Sequence, residues 1–324
     1  MSTTTKSASQ SPPISLKLPL EQLLWRLQQE LLATATTLGY HLYSIWLFTY
    51  SDIKTIIVPK TTFGTLCALA APDSLNTTLG LDQSPPLRYR QPETCELLAE
   101  DRMNKPWRTM PSGRMNPAQA RKLMFCLYVV AAFISWKIGG LTQCLALMAL
   151  GFWYNDMGGA DHSCIVRNLI NGMGYISFAP GATEVAIGSS LLPYNRVGAL
   201  DCPELLLFWK WVALLITVVI TTAHAQDMHD QAGDSVRDRK TVPLVMGDAP
   251  ARISLMVCTC LWSVVCCLFW EVGAFALVLV GSLAIVVSIR TCALRTAKAD
   301  KRTFLLWNGW ITSVYMLPIL KHWF

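Results

Sequence analysis

Charge is scarce in this chain. Asp, Glu, Lys and Arg make up 15% of its 324 residues, against about 25% in an ordinary soluble domain. Hydrophobic residues reach 52%, so a bundle that spans a membrane several times is the expected class. A long polar linker is also missing, which removes the division into two soluble domains. The positive surplus is small: 27 basic less 21 acidic side chains leaves +6. The charges cluster at segment ends, and no nucleic-acid partner is expected. The eleven cysteines form no CxxC pair. Cys126, Cys144, Cys258, Cys260, Cys266 and Cys267 lie inside apolar runs and read as small buried hydrophobes, not as a metal or disulfide framework. No secretory leader is visible. Residues 1–17 are polar and read as a disordered tail before a single membrane domain over 18–324.

What the chain does have is a series of apolar runs. Residues 18–36 place apolar positions at helical spacing between charges, which predicts an amphipathic helix at the membrane surface. Eight candidate spans follow, at 51–71, 120–136, 141–157, 168–190, 204–224, 251–269, 272–290 and 303–320. Gly139–Gly140 and Glu271–Val272–Gly273 predict tight turns between antiparallel neighbours, and Pro203, Pro250 and Pro318 mark other junctions. If the spans alternate, Lys and Arg crowd one side, from Arg102 to Lys122 and from Arg237 to Arg302. The other side holds Lys137, Arg196 and Lys321. The basic side is expected in the cytosol, and both polar loops, 91–118 and 225–249, fall there.

The second loop carries the sharpest pattern. HAQDMHDQAGDSVRDRKTVPL, residues 224–244, follows one of the most apolar stretches of the chain. Asp227, Asp230 and Asp234 stand at i, i+3 and i+7, one face of a regular helix. Stacked carboxylates beside hydrocarbon repel one another unless a cation joins them. Oxygen ligands alone suit a hard ion, Mg2+ or Ca2+, and Mg2+ is commonly shared between carboxylates and substrate phosphates. The basic run Arg237, Arg239 and Lys240 offers phosphate contacts. EDRMNKPWRTMPSGRM, residues 100–115, repeats the logic with Glu100 and Asp101 before Lys105, Arg108 and Arg114. Two such patches on one membrane face suit a diphosphate held from both sides. YNDMGGAD, residues 154–161, ends another apolar run on the same side, so Asn155, Asp156 and Arg167 are candidates for a third wall.

DRMNKPWRTMPSGR resembles the D-R-x-N-K-P-x-R-P-x-x-S-G-R signature of UbiA-type intramembrane prenyltransferases. QDMHDQAGDSVRDRKTVPL resembles their second aspartate motif. The resemblance covers about residues 40–320. It implies a ring of nine helices around a central cavity, with the two motifs facing each other across a cytosolic mouth. It implies Mg2+ held by Glu100, Asp101, Asp227, Asp230 and Asp234, with Asp101, Asp227 and Asp230 catalytic, and diphosphate held by Lys105, Arg108, Arg239 and Lys240. The family's first motif reads N-x-x-x-D-x-x-x-D, and here Glu93 and Leu97 occupy its first two positions. Residues 72–99 hold no apolar run long enough to span, which leaves eight spans where the family has nine.

Residues 42–64 and 154–175 are similar to a fungal group of UbiA-like proteins whose recognised activity is sesquiterpene cyclisation. That likeness implies ionisation of farnesyl diphosphate and ring closure by a double bond of the same chain. A cyclase pocket is lined by π faces, which stabilise positive charge. Phe48, Trp153, Tyr154, Tyr175, Phe178 and Tyr315, with Trp310, are candidate linings; packing or an interfacial belt is the competing role. Prenyl transfer to an aromatic or other acceptor remains open, as does a non-catalytic lipid-binding protein or transporter. The expected setting is the endoplasmic reticulum membrane, among lipids and possible downstream pathway enzymes.

Overall fold

The computed structural model describes residues 17–49, 109–110, 112–188, 190–191 and 203–323. The expected span at 51–71 and the segment 72–99 lie outside the described residues, as do Glu100, Asp101, Lys105 and Arg108. Among the described residues every regular element is a helix. The chain divides into two compact units, Met1–Leu47 and Phe48–Phe324. The first holds most of α1 (Lys17–Thr49), which runs well past the helix expected at 18–36; no proline interrupts it after Pro19, in its first turn.

In the second unit, α2 (Pro117–Ile138) opens with Pro117 at its first position and a reciprocal cap between Asn116 and Gln119. Gly139 (φ +107) and Gly140 (φ +77) make the tight turn into α3 (Leu141–Asn155). Gly158 (φ +70) then leads through α4 (Gly159–His162), and Ser163 caps α5 (Cys164–Ile187) by accepting from Val166 N at 3.2 Å. Helix α6 (Pro203–Thr222) runs into two 3-10 turns, Ala223–Ala225 and Asp227–His229. Short helices α7 (Gln231–Val236) and α8 (Val242–Met246) follow. Then come α9 (Asp248–Trp270), α10 (Ala274–Ala293), α11 (Ala297–Tyr315) and α12 (Leu317–Trp323). Glu271, at φ +49, makes the expected turn between α9 and α10.

Helices α2, α9 and α10, together with the segment Pro203–His229, are long and apolar enough to cross a membrane. Their outer faces are apolar and open: Val129, Leu268 and Val278 are 71%, 70% and 68% exposed. Such a surface belongs in lipid. Polarity is inside instead, where Arg167, Glu184, Asp227, Asp234, Arg252 and Asp300 are all buried. The core joins Trp211, Leu215 and Val218 of α6 to Trp307, Trp310 and Val314 of α11. Trp211 stacks on Phe269 with centroids 5.5 Å apart. At Gly172, α5 approaches α6 so closely that a Cβ would sit 2.5 Å from Ile220 Cγ1.

Candidate active site

The acidic run is not one helix, which corrects the alignment expected for it. Regular geometry gives way to the 3-10 turn Asp227–His229, a break at Asp230 and the start of α7 at Gln231. One cause is tertiary and the other local. Asp227 Oδ1 accepts from Arg167 Nη2 of α5 at 2.8 Å, and Asp234 Oδ1 accepts from Arg239 Nη1 at 2.9 Å. Each inner carboxylate is drawn to a different guanidinium, a stronger demand than helical regularity. Asp227 and Asp234 are 1% and 0% exposed. Asp230 keeps more access to solvent and lies 3.5 Å from His229 Nε2.

Two further groups extend the network. The Tyr154 hydroxyl accepts from Arg167 Nη1, so a residue expected in the cavity lining joins the ion network. Asp161, on α4, accepts from Arg237 Nη2 at 2.9 Å and from Arg239 Nε at 3.2 Å. Asp161 was legible only as an acid after a Gly–Gly turn, with nothing in the sequence to show that two arginines some 76 residues later would reach it.

The network leaves specific atoms over. Asp227 Oδ2, Asp234 Oδ2 and Arg167 Nε are buried and have no hydrogen-bond partner among the described residues. An unsatisfied buried polar atom costs about 1–3 kcal/mol, more when it is charged. The electrostatics agree: burial foremost, with the neighbouring Asp227, pushes the Asp234 carboxyl up to about 6, against the pull of Arg167 and Arg239. Two inward carboxylate oxygens fit a hard cation. Among the described residues no three acidic, His or Cys side chains form a metal cage by themselves. Mg2+ does not need one, because it is usually held by one or two carboxylates plus substrate phosphates and water.

Other expected residues fall elsewhere. Asp156 is exposed at the end of α3, with its N–H capping Phe152 O at 2.9 Å, and neither it nor the half-buried Asn155 is bonded to the ion network by the bonds just described. Lys240 is exposed, while the Arg239 guanidinium is engaged by two carboxylates with which a phosphate must compete. Trp153 is partly exposed beside Gly159, Phe178 is partly buried on α5, and Tyr315 is fully buried on α11. The Phe48 side chain lies outside the described residues. An aromatic column, of which the sequence reading named only Trp310, leads away from the acidic run: His229 stacks on Phe304 at 5.8 Å, Phe304 on Trp307 at 5.8 Å, and Trp307 meets Trp310 at 6.4 Å. Its signal was the three-residue spacing of 304, 307 and 310 within the last apolar run.

A second ion network was also missed. Arg252 of α9 grips Asp300 of α11 with both terminal nitrogens, Nη1 to Oδ1 and Nη2 to Oδ2, each at 2.8 Å. Nη1 also donates to Thr291 O of α10 at 2.7 Å, and Nε donates to Asp248 Oδ2 at 2.8 Å. Gln231 of α7 joins by donating to Asp248 Oδ1 at 3.0 Å. This clasp ties the ends of α9, α10 and α11 to the segment that carries the acidic motif.

The UbiA prenyltransferase family matches residues 98–310, and the chain belongs to that family. It is 28% identical over 290 residues to the fumagillin β-trans-bergamotene synthase of Aspergillus fumigatus, covering 86% of this chain and 92% of that one. It is 26% identical to the somaliensene A/B synthase of Streptomyces somaliensis, over 85% and 92% of the two chains. A polyprenyl transferase of Hericium erinaceus is 25% identical over 67% of this chain and 71% of its own. No solved structure matches. The family is one of polytopic helical membrane proteins, and the resemblance read from the two motifs holds.

Proposed function

We propose that this chain is a Mg2+-dependent sesquiterpene cyclase that ionises farnesyl diphosphate at the mouth and closes the carbocation in the apolar interior. The observation that carries the reading is the pair of buried, half-satisfied carboxylates, Asp227 and Asp234, set among arginines at the head of an aromatic column. Two relatives named as terpene synthases support it. Asp227 and Asp234, with Asp230 and the acids Glu100 and Asp101 of the first motif, would hold the ion. When bound, Mg2+ neutralises the diphosphate and makes it a better leaving group.

The chain's own groups do the rest. Arg167 and Arg239 bind phosphate oxygens in exchange for their present carboxylate partners, with Lys240, Lys105 and Arg108 assisting. The allylic C–O bond breaks, diphosphate leaves with the electron pair, and the cation stays in the interior. The π faces of Tyr175, Phe304 and Trp307 stabilise it, and exclusion of water prevents early capture. The mouth faces the cytosol, on the basic side of the endoplasmic reticulum membrane. The transfer of an isoprenyl group to an acceptor is the second reading, favoured by the Hericium relative.

Microsomes carrying the chain are supplied with farnesyl diphosphate and Mg2+, without acceptor, and extracted for gas chromatography–mass spectrometry. A new sesquiterpene that disappears with EDTA is the expected result. A product formed only when an acceptor is added would replace cyclase by transferase.

A further inference from the structure

Helices α9 and α10 leave a groove of about 490 Å3 between them, walled by Met256 and Cys260 of α9 and by Ile285, Ile289 and Ala293 of α10. Ile285 and Ile289 are exposed, so the groove opens outward, on two helices long and apolar enough to cross the membrane. Its heteroatoms are turned on one another: Cys260 Sγ lies 3.4 Å from Ser288 Oγ, and Cys292 Sγ donates to Met256 Sδ at 3.7 Å. The wall is therefore soft and apolar, a surface that suits hydrocarbon. From Ile285 to Ala293 the helix rises about 12 Å, against about 15 Å for the hydrocarbon of one leaflet. The groove thus matches a single leaflet, the one at the C-terminal end of α10.

That end is strongly basic. Residues 290–302 carry Arg290, Arg295, Lys298, Lys301 and Arg302 against a single acid, Asp300. Asp300 is already engaged, since both of its oxygens accept from Arg252. Arg295, Lys298, Lys301 and Arg302 are exposed. Arg295 Nε donates to the Cys292 carbonyl oxygen at 3.4 Å, which places this guanidinium where the groove ends. The prenyl diphosphate reading uses none of these five cations. A basic cluster directly beyond a membrane helix attracts anionic headgroups. A neutral chain would fill the groove and leave the cations; a free anion would meet the cations and leave the groove. A phospholipid of net negative charge satisfies both.

We infer that the α9–α10 groove binds an anionic phospholipid of the leaflet on the basic side, with an acyl chain against Ile285 and Ile289 and the phosphate at Arg295. The chain supplies dispersion contacts to the groove wall, and the headgroup neutralises the cluster after α10. The site is independent of the chemistry at the acidic run.

The test uses the purified full chain in detergent, mixed with phosphatidylserine or phosphatidylcholine of the same acyl chains, and native mass spectrometry counts the lipid retained. Phosphatidylserine is expected to be held about tenfold more tightly at low salt, and raising the ionic strength should narrow that margin. Arg295→Gln, at an exposed position, is expected to weaken phosphatidylserine by about fivefold and leave phosphatidylcholine unchanged. Ile289→Trp fills the groove from its open side and is expected to lower retention of both lipids by about tenfold. Equal retention of the two lipids by the wild type overturns the inference. So does a phosphatidylserine margin that survives both variants, which would place the headgroup elsewhere. Displacement of phosphatidylserine by farnesyl diphosphate would give the groove to the substrate, and a dimer that Ile289→Trp breaks would give it to a second copy; either result also overturns the inference.

Discussion

The two ion networks of this protein are built from the same residue types and differ in one respect. In the Arg252 clasp all three guanidinium nitrogens have partners: Asp248, Asp300 and the Thr291 carbonyl. In the network around the acidic run, Asp227, Asp234 and Arg167 each keep a buried atom without one among the described residues. A complete network holds helices in place; an incomplete one stores affinity for whatever completes it. The clasp is therefore read as scaffold and the mouth as site, although both are buried.

That contrast breaks most visibly at Asp300. Asp300→Ala leaves the buried Arg252 guanidinium short of its main partner, and a loss of about 3–5 kcal/mol is expected in thermal or denaturant unfolding in detergent. An effect near zero would dissolve the distinction. Next comes Asp230→Ala, where diphosphate release is expected to fall by about a hundredfold or more. Its stability should stay within about 0.5 kcal/mol, because the side chain is partly exposed and weakly partnered. A mouth variant that lost stability and kept its rate would reverse the roles assigned to the two networks.

Acidity sharpens the comparison further. The Asp234 carboxyl sits near 6, above its ordinary value, because burial disfavours the charged form. The folded chain then keeps a proton that the unfolded chain has lost. Without metal, this group's contribution is most favourable below the ordinary carboxylate range and is lost as pH rises to about 6. Metal binding needs the carboxylate, so Mg2+ affinity should be level above that pH and fall by about tenfold per pH unit below it. Calorimetric titrations across pH 5–8 check this range, and Asp234→Asn should remove the dependence with most of the affinity. The smallest effect is expected from Tyr154→Phe, which deletes one acceptor of Arg167. It should cost about 1 kcal/mol in stability.

Much of the fold was legible before any coordinates. The turns at Gly139–Gly140 and at Glu271, and the junctions at Pro203, Pro250 and Pro318, stand where backbone chemistry put them. Helices appear at all seven expected spans that fall within the described residues, because runs of apolar side chains leave a buried backbone few other ways to satisfy itself. The site was legible as composition and not as geometry. Asp227 and Asp234 are both buried, but the run is not the single helix that its spacing suggested, since each carboxylate is held by a different arginine. Asp156 and Lys240, plausible by position, face outward.

The residue order by itself determined that this chain belongs in lipid and where most of its long apolar helices lie. Those outcomes depend on local backbone preference and on the free energy of moving each segment out of water, and both are properties of short stretches. Only the tertiary structure decided that Arg167 reaches Asp227, that Arg252 and Asp300 make a clasp, and that Tyr175 meets Asn308. Unlike the local Asp234–Arg239 bond, those pairings join residues far apart in the chain, and a short-range interaction such as a hydrogen bond cannot be read until packing has brought its two ends together.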